Sequence, residues 1–292
     1  MKRYVLLSGR QTDKQKGIKM LREDQHREAA LTDFAILLGA FPDAVNLYNG
    51  KDGLENRTGM WWTNDYATSI NNSGEGKFVA VDGNGLKKIL KPYNGFVGVR
   101  PAFRFADYFY DFKDFVEYDN EIEKAYLDEY PQMITSDREA TELESMFLND
   151  ELKETGKVYT TDSDYYLGKE EFVPRKFKQY EHNGKKYIRV VPENVYLDCR
   201  LSNGREVKEG EPYWIEVQPV RWILDYDYGM AISEKILFAG VCRMKDERFD
   251  RCTGDLYMNR YLREVFAKDI DANVKEAEIA SEKKDSVVKV KV

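Results

Sequence analysis

Apolar positions along the chain follow two periods, and the change between them divides the sequence. In "LREDQHREAALTDFAILLGAF", Leu31, Phe34, Ala35 and Leu38 recur at helical spacing and predict a helix that faces a core. The stretch from there to Phe105 is rich in Gly, Asn and Asp, with short apolar runs. In "KFVAVDGNGLKKIL", Phe78 and Ala80 alternate with Val79 and Val81, and Asp82-Gly83 or Asn84-Gly85 can supply the positive φ of a tight hairpin.

Helical spacing returns in "FKDFVEYDNEIEKAYLDEYP", where Phe112, Phe115, Val116, Ile122 and Tyr126 fall near one face and Pro131 stops the run. A second helix is predicted in "SDREATELESMFLND": Ser136 and Glu139 make a capping box, and Ala140, Leu143, Met146 and Phe147 form the apolar stripe. From about Phe172 the β-branched and aromatic runs "KKYIRVV", "NVYLDC", "YWIEVQPVRWIL" and "YGMAISEKILF" predict strands. One helix follows in "GDLYMNRYLREVFAKDI", with Met258, Tyr261, Leu262, Val265 and Phe266 on one side. The final "SVVKVKV" alternates well enough to add as a strand to a sheet of its own or a partner's.

The fold class expected is therefore α+β: short strands in mixed sheet parts, with a helical insert or arm. Four segments are expected: an α+β part over 1–107, a helical arm over 108–171, a β-rich part with one helix over 172–272, and a mobile tail over 273–292.

Charge sharpens that division. Residues 106–170 hold 19 Asp or Glu against 6 Lys or Arg, a net of -13 where the whole chain is -7, so everything else sums to +6. The overall acidity argues against unaided binding to nucleic acid or an anionic membrane. No apolar run approaches the roughly 18 residues of a membrane span, and the start lacks a secretory apolar region, so a cytoplasmic location is expected. Three cysteines, Cys199, Cys242 and Cys252, have no zinc-type spacing and read as reduced thiols.

Catalytic signals are sparse. His26 and His182 read as ordinary surface residues. "NNSGEGKF" lacks the glycine and the Ser or Thr that a Walker loop requires. "VDGNG" around Asp82 and "DSDYY" at Asp162 to Tyr166 read as turns before metal sites. No cofactor and no metal are expected.

Aromatic residues are the more unusual signal, with 20 Tyr, 15 Phe and 4 Trp. Tyrosine gives a large rigid contact with a hydrogen-bonding tip, which suits interfaces. Tyr108, Tyr110, Tyr118, Tyr126 and Tyr130 are interleaved with acidic residues and are candidate partner contacts, together with Trp61 and Trp62. Such a face could also imitate a phosphate backbone. Arg100 and Arg104, in "GFVGVRPAFRF", read as structural clamps: Val97, Val99 and Ala102 line the core, Pro101 suits an edge or bulge, and the Arg100 fork pairs with a carboxylate or carbonyls.

"WWTNDYATSINNSGEGKFVAVDGNG" followed by "GFVGVRPAFRF" resembles the closing half of C-type-lectin-like domains related to sulfatase-modifying factors. "VRWILDYDYGMAISEKIL", which contains Trp222 as a structural residue, resembles the opening half in an uncharacterised bacterial and phage branch of that group. Here the opening half follows the closing half by about 120 residues, so two partial domains or one permuted domain are implied. The cysteine pair of the group's formylglycine-generating enzymes has no counterpart before Cys199, and that activity is not implied.

Length, acidity and the phage-type resemblance also fit phage anti-defence proteins such as the Gabija anti-defence inhibitors. The expected function is a non-enzymatic protein-binding module, phage-encoded and acting stoichiometrically on a bacterial defence nuclease complex, with homo-oligomerisation open. The alternatives are a virion receptor or carbohydrate-binding module presenting "WWTND", and a carboxylate-dependent hydrolase.

Overall fold

The computed structural model describes residues 4–7, 27–42, 57–66, 78–90, 96–104, 116–119, 122–161, 175–193, 195, 199–241 and 257–270. These form an α+β architecture that is mainly sheet. The strands in chain order are β1 (Tyr4–Val5), β2 (Ala29–Ala30), β3 (Thr58–Gly59), β4 (Trp61–Tyr66), β5 (Phe78–Val81), β6 (Lys87–Leu90) and β7 (Ala102–Arg104). They continue with β8 (Val116–Asp119), β9 (Ile122–Ile134), β10 (Lys153–Thr161), β11 (Arg175–His182), β12 (Lys185–Val190), β13 (Tyr213–Asp225) and β14 (Met230–Ser233). The helices are α1 (Asp33–Leu37), α2 (Asp137–Leu148) and α3 (257–270), the last made of Tyr257–Tyr261, a π-helical turn Leu262–Phe266, and Ala267–Ile270.

The axis of the nine-stranded sheet is β13. One edge of it pairs with β9 from Ile215 opposite Ile134 to Ile223 opposite Lys124. Its other edge is shared: β12 takes the beginning, with Glu216 opposite Tyr187, and β14 takes the end, with Trp222 opposite Ser233. Two wings result, β12-β11-β10 and β14-β7-β1, while β8 extends β9. Helix α3 packs against β1 and β10, so a single helix spans the ends of both wings. Between them lies one apolar core, centred on the Tyr130 ring, which meets Phe34, Tyr159 and Phe266 edge-on at 5.8, 5.4 and 5.2 Å.

The segment expected as an acidic helical arm supplies the longest neighbour of that axis. Residues 122–134 are strand, and only the second expected helix forms, as α2. The positions read as one helical face are split by a chain reversal: Val116 lies on β8, Ile122 and Tyr126 lie on β9, and Asp119 sits opposite Ile122, while Phe112 and Phe115 lie outside the described residues. Strand β9 is also bulged twice. Between Leu127 opposite Val220 and Glu129 opposite Pro219, Asp128 is an extra residue with φ 58°, and Gln132 is extra in the same way further on. Ala125 and Tyr130, five residues apart, thereby enter the same core, whereas an unbroken strand would put them on opposite faces. Gln132 also donates its side-chain amide to the Gln218 and Pro219 carbonyls at 3.0 and 2.8 Å, meeting acceptors the irregular pairing leaves over.

The first expected helix is also shorter than its periodicity suggested. Ala29–Ala30 pair with Thr58–Gly59, and only Asp33–Leu37 is helical. Thr32 caps it: its hydroxyl accepts the Ala35 N–H at 3.0 Å and donates to the Leu237 carbonyl at 3.0 Å. Leu31, Phe34, Ala35 and Leu38 are buried as expected. The β5–β6 hairpin forms as predicted. Asp82 accepts the N–H groups of Asn84 and Leu86, and Gly85 sits at φ +74°. With Lys88 paired to it at 3.3 Å, Asp82 organises a turn.

Helix α2 lies on the outer face of β11–β13. Leu143, Tyr180, Tyr187 and Trp214 form a second apolar cluster there, joined by Ala140 and Phe147. Ser136 accepts the Glu139 N–H as the capping pattern requires, but the Glu139 carboxylate turns to the Thr135 and Tyr187 hydroxyls. Glu144 accepts from Arg189 through both Nε and Nη2, at 2.9 and 2.8 Å, and from Trp214 Nε1 at 3.0 Å. His182, expected as an ordinary surface residue, is mostly covered and bonds Glu142 at 3.0 Å. No helix among the described residues is long and apolar enough to cross a membrane.

Candidate functional site

The structure separates the aromatic residues expected to meet a partner. Trp61, Trp62 and Tyr130 are fully buried, so their roles are corrected to core packing. Trp61 donates to the Arg27 carbonyl at 3.1 Å and lies under the Arg100 guanidinium, 5.2 Å from the ring centre. Tyr126 alone of the five tyrosines is placed with an exposed ring, at 41%. Tyr118 belongs to β8, its side chain lying outside the described residues, as Tyr108 and Tyr110 do entirely.

The structural residues fare differently. Arg100 is 1% exposed and donates Nε–H to the Ser233 carbonyl at 2.8 Å. Burial pulls its guanidinium down to about 10, against the Glu234 carboxylate, which raises it. Arg104 ends β7 in solvent and is no clamp of the Arg100 kind. Trp222 packs edge-on against Phe103 at 4.9 Å and donates to the Leu127 carbonyl at 3.0 Å, tying β9, β13 and β7 together.

Around Tyr126 a surface patch takes shape. Arg221, opposite Tyr126 in the ladder, holds its guanidinium 5.7 Å from the Tyr126 ring centre and pairs with Glu234 at 3.4 Å. Glu234 also takes Lys124 at 2.7 Å. Five residues on from Arg221, past the end of β13 and about 17 Å away by strand rise, the hairpin turn presents Tyr226 at 55% and Tyr228 at 38% exposure. The turn is held by Asp225, which accepts the Tyr228 N–H at 3.0 Å. Sequence reasoning passed over Tyr226 and Tyr228, although the "DYDYG" turn that carries them was visible.

A second arrangement lies inside, beneath α3. A bulge at Gly156, φ +85°, resets β10 between Glu154 and Val158. Lys157, Tyr159 and Thr161 then alternate with the more exposed Val158 and Thr160 along the strand. The Lys157 ammonium is 5.0 Å from the Tyr159 ring centre. The Tyr159 hydroxyl receives a bond from Gln179 at 2.8 Å. Asp269 reaches in from α3, and burial pushes its carboxyl up to about 7, against the Thr160 N–H bond and the charges of Lys157 and Lys268. Burial raises Tyr130 and Tyr159 and lowers Lys157. Tyr130 Oη, Lys157 Nζ and Thr161 Oγ1 are buried without a hydrogen-bond partner among the described residues. Perturbed acids and bases of this kind mark sites where protonation couples to structure.

A shallow pocket formed by residues 200–211 has Arg200, Arg205 and Lys208 on its walls. Its arginines are taken up by Glu206, at 3.2 Å, and by Glu211. Asp33, fully buried, is a structural hub: it accepts from Arg57, Ile134 N–H, and both the N–H and hydroxyl of Ser202. Cys199 is half-buried, and Cys242 and Cys252 lie outside the described residues. No cluster of potential metal ligands occurs among the described residues. Comparison with protein-family models, curated proteins and solved structures finds no match for the chain.

Proposed function

We propose that the chain is a non-enzymatic protein-binding module, and that Tyr126, Tyr226 and Tyr228 around Arg221 form its contact surface. The observation that carries this reading is the exposure of three tyrosines toward one end of β9 and β13, where the other large aromatics among the described residues are mostly core. Tyrosine and arginine are the residue types that concentrate binding energy at protein interfaces. The span of about 17 Å fits inside one partner footprint of about 800 Å². The partner class implied by the phage-type resemblance is a bacterial defence nuclease complex, engaged stoichiometrically from the host cytoplasm.

The lectin-like reading of the scaffold has support of the same standing. The strand containing "RPAF" pairs with the strand containing "MAIS": Met230 lies opposite Arg104 and Ile232 opposite Ala102. The Trp61 segment bridges Gly98 at the start of the same stretch. Segments resembling the two halves of one domain are thus neighbours in space, which favours one permuted domain over two. Burial of Trp61 and Trp62 takes the aromatic part of "WWTND" away from any ligand, leaving Asn64 exposed, and lends less support to a carbohydrate-binding role.

The test is titration of the full chain into a purified defence nuclease complex, followed by co-elution and nuclease activity. Wild type should co-elute and inhibit at a fixed ratio. The Tyr126→Ala, Tyr226→Ala, Tyr228→Ala triple variant should lose both with its melting temperature nearly unchanged. Equal binding by the triple variant sinks the tyrosine surface, and absence of any complex with wild type sinks the target class.

A further inference from the structure

The end of α3 is fastened to the edge strand β10 by two side chains that meet one residue. Asp269 Oδ2 accepts the Thr160 N–H at 2.6 Å, and the Tyr261 hydroxyl donates to the Thr160 carbonyl. An edge residue's backbone groups, otherwise open to a further strand, are thereby satisfied by the helix. Asp269 is 8% exposed and has no ion pair among the described residues; its bond comes from a neutral peptide. Lys157, the cation facing it from β10, has its amine buried without a hydrogen bond. One turn earlier the helix runs through the π-helical Leu262–Phe266, a geometry with weaker hydrogen bonding that often marks a hinge or functional site.

We propose that α3 is a latch tightened by one proton: protonated Asp269 holds the helix over β10 and closes the core, and ionised Asp269 loosens it. The groups facing Asp269 are Lys157 and Tyr159 from β10, Tyr130 from β9, and Lys268 from its own helix. Both tyrosines are raised by burial and stay neutral through the range concerned.

Docked Asp269 titrates near 7, whereas an undocked one returns to its ordinary 3.8. Between those values the docked helix keeps a proton that the undocked helix has lost. Docking therefore weakens by up to about tenfold per pH unit from about pH 4.5 to 7, and levels off above 7. Loosening exposes the Thr160 edge of β10 to solvent or to an added strand.

Hydrogen exchange of the full chain at pH 5, 6, 7 and 8, corrected for intrinsic rates, tests this at Thr160 and across 257–270. Protection should fall about tenfold per unit to pH 7 and then flatten. Asp269→Asn, which keeps the acceptor and cannot ionise, should be flat throughout. Lys157→Met removes a charge that favours the carboxylate, and should move the flattening to higher pH. A pH-independent wild type, or an Asp269→Asn variant with the wild-type slope, overturns the latch. Should Asp269→Asn not fold, an unmoved profile in Lys157→Met overturns it equally.

Discussion

Replacing Arg100 tests the junction where three parts of the chain meet. Its Nε–H serves the fully buried Ser233 carbonyl region at 2.8 Å, and its plane covers Trp61 at 5.2 Å. Arg100→Ala strands that carbonyl at a cost of about 1–3 kcal/mol. It also forfeits a desolvated cation–π contact of about 2 kcal/mol and opens a cavity costing about 2 kcal/mol more. Relief of the buried charge offsets part of this. With the guanidinium pulled from 12.5 to about 10, that relief is about 3 kcal/mol.

The net expectation for Arg100→Ala is a loss of about 3 kcal/mol, or roughly 5 °C in Tm for a chain of this size. Arg100→Met refills the volume and sheds the charge, so it should lose only about 1–2 kcal/mol. Arg100→Lys must still bury a charge while lacking both Nε–H and the flat face, and should be no more stable than Arg100→Met. Urea and thermal unfolding of the three variants measures the order. A double-mutant cycle with Trp61→Leu should show a coupling of about 1–2 kcal/mol. Full stability in Arg100→Lys, or no coupling to Trp61, refutes the argument that the fork and its stacking hold this junction.

Other sites give narrower expectations. Gly98→Ala would put a Cβ 2.2 Å from Ile236 Cγ2, with the Met60 and Phe238 carbonyls at 3.4 Å; a loss of about 2–3 kcal/mol in urea unfolding is expected, partly restored by adding Ile236→Ala. Thr32→Ala removes the α1 cap and should cost about 1 kcal/mol by the same measurement. Hydrogen bonds from Arg189, then from Trp214, hold Glu144 below its ordinary 4.5, against burial, which raises it. The docking of α2 that this supplies is complete above pH 4.5 and lost as pH falls through the lower folded value. Trp214 fluorescence should report a transition in that acid range, and Glu144→Gln should blunt it.

Much of the sheet is legible because its strands are β-branched and aromatic runs bounded by turn residues. The runs at 185–191 and 213–224 are predicted as strands and form as Lys185–Val190 and Tyr213–Asp225, and the Asp82–Gly85 turn forms the predicted hairpin. The region before Pro131 reads as a helix because Val116, Ile122 and Tyr126 recur at helical spacing, yet they belong to two antiparallel strands, and a chain reversal between Asp119 and Ile122 leaves no mark on that spacing. Local pattern likewise says nothing of which aromatics a neighbouring layer will cover. Trp61 and Tyr126 look equally suited to a partner in the sequence, yet one is under Arg100 and the other above Arg221. Asp269 carried no signal at all, because its environment is built by β10 and β9, over a hundred positions away.

The segregation of charge acquires a different meaning once the ladder is known. The acidic segment and the basic remainder meet along β10, β11 and β12 with α2 on top. Glu129 takes Lys186 at 2.6 Å, Glu144 takes Arg189 at 2.8 Å, Glu154 takes Lys178 at 2.8 Å, and Glu142 takes His182 at 3.0 Å. Each exposed pair is worth little, about 0–1 kcal/mol, but Glu129 and Glu154 favour one alignment of strands while Glu142 and Glu144 seat α2 on them. Carboxylates engaged in this way are not available as a regular mimic of a phosphate backbone. The charge asymmetry is therefore better explained, over the described residues, as a device that sets the register of the chain against itself. What is left for a partner is the end of β9 and β13, where Tyr126, Tyr226 and Tyr228 lie around Arg221.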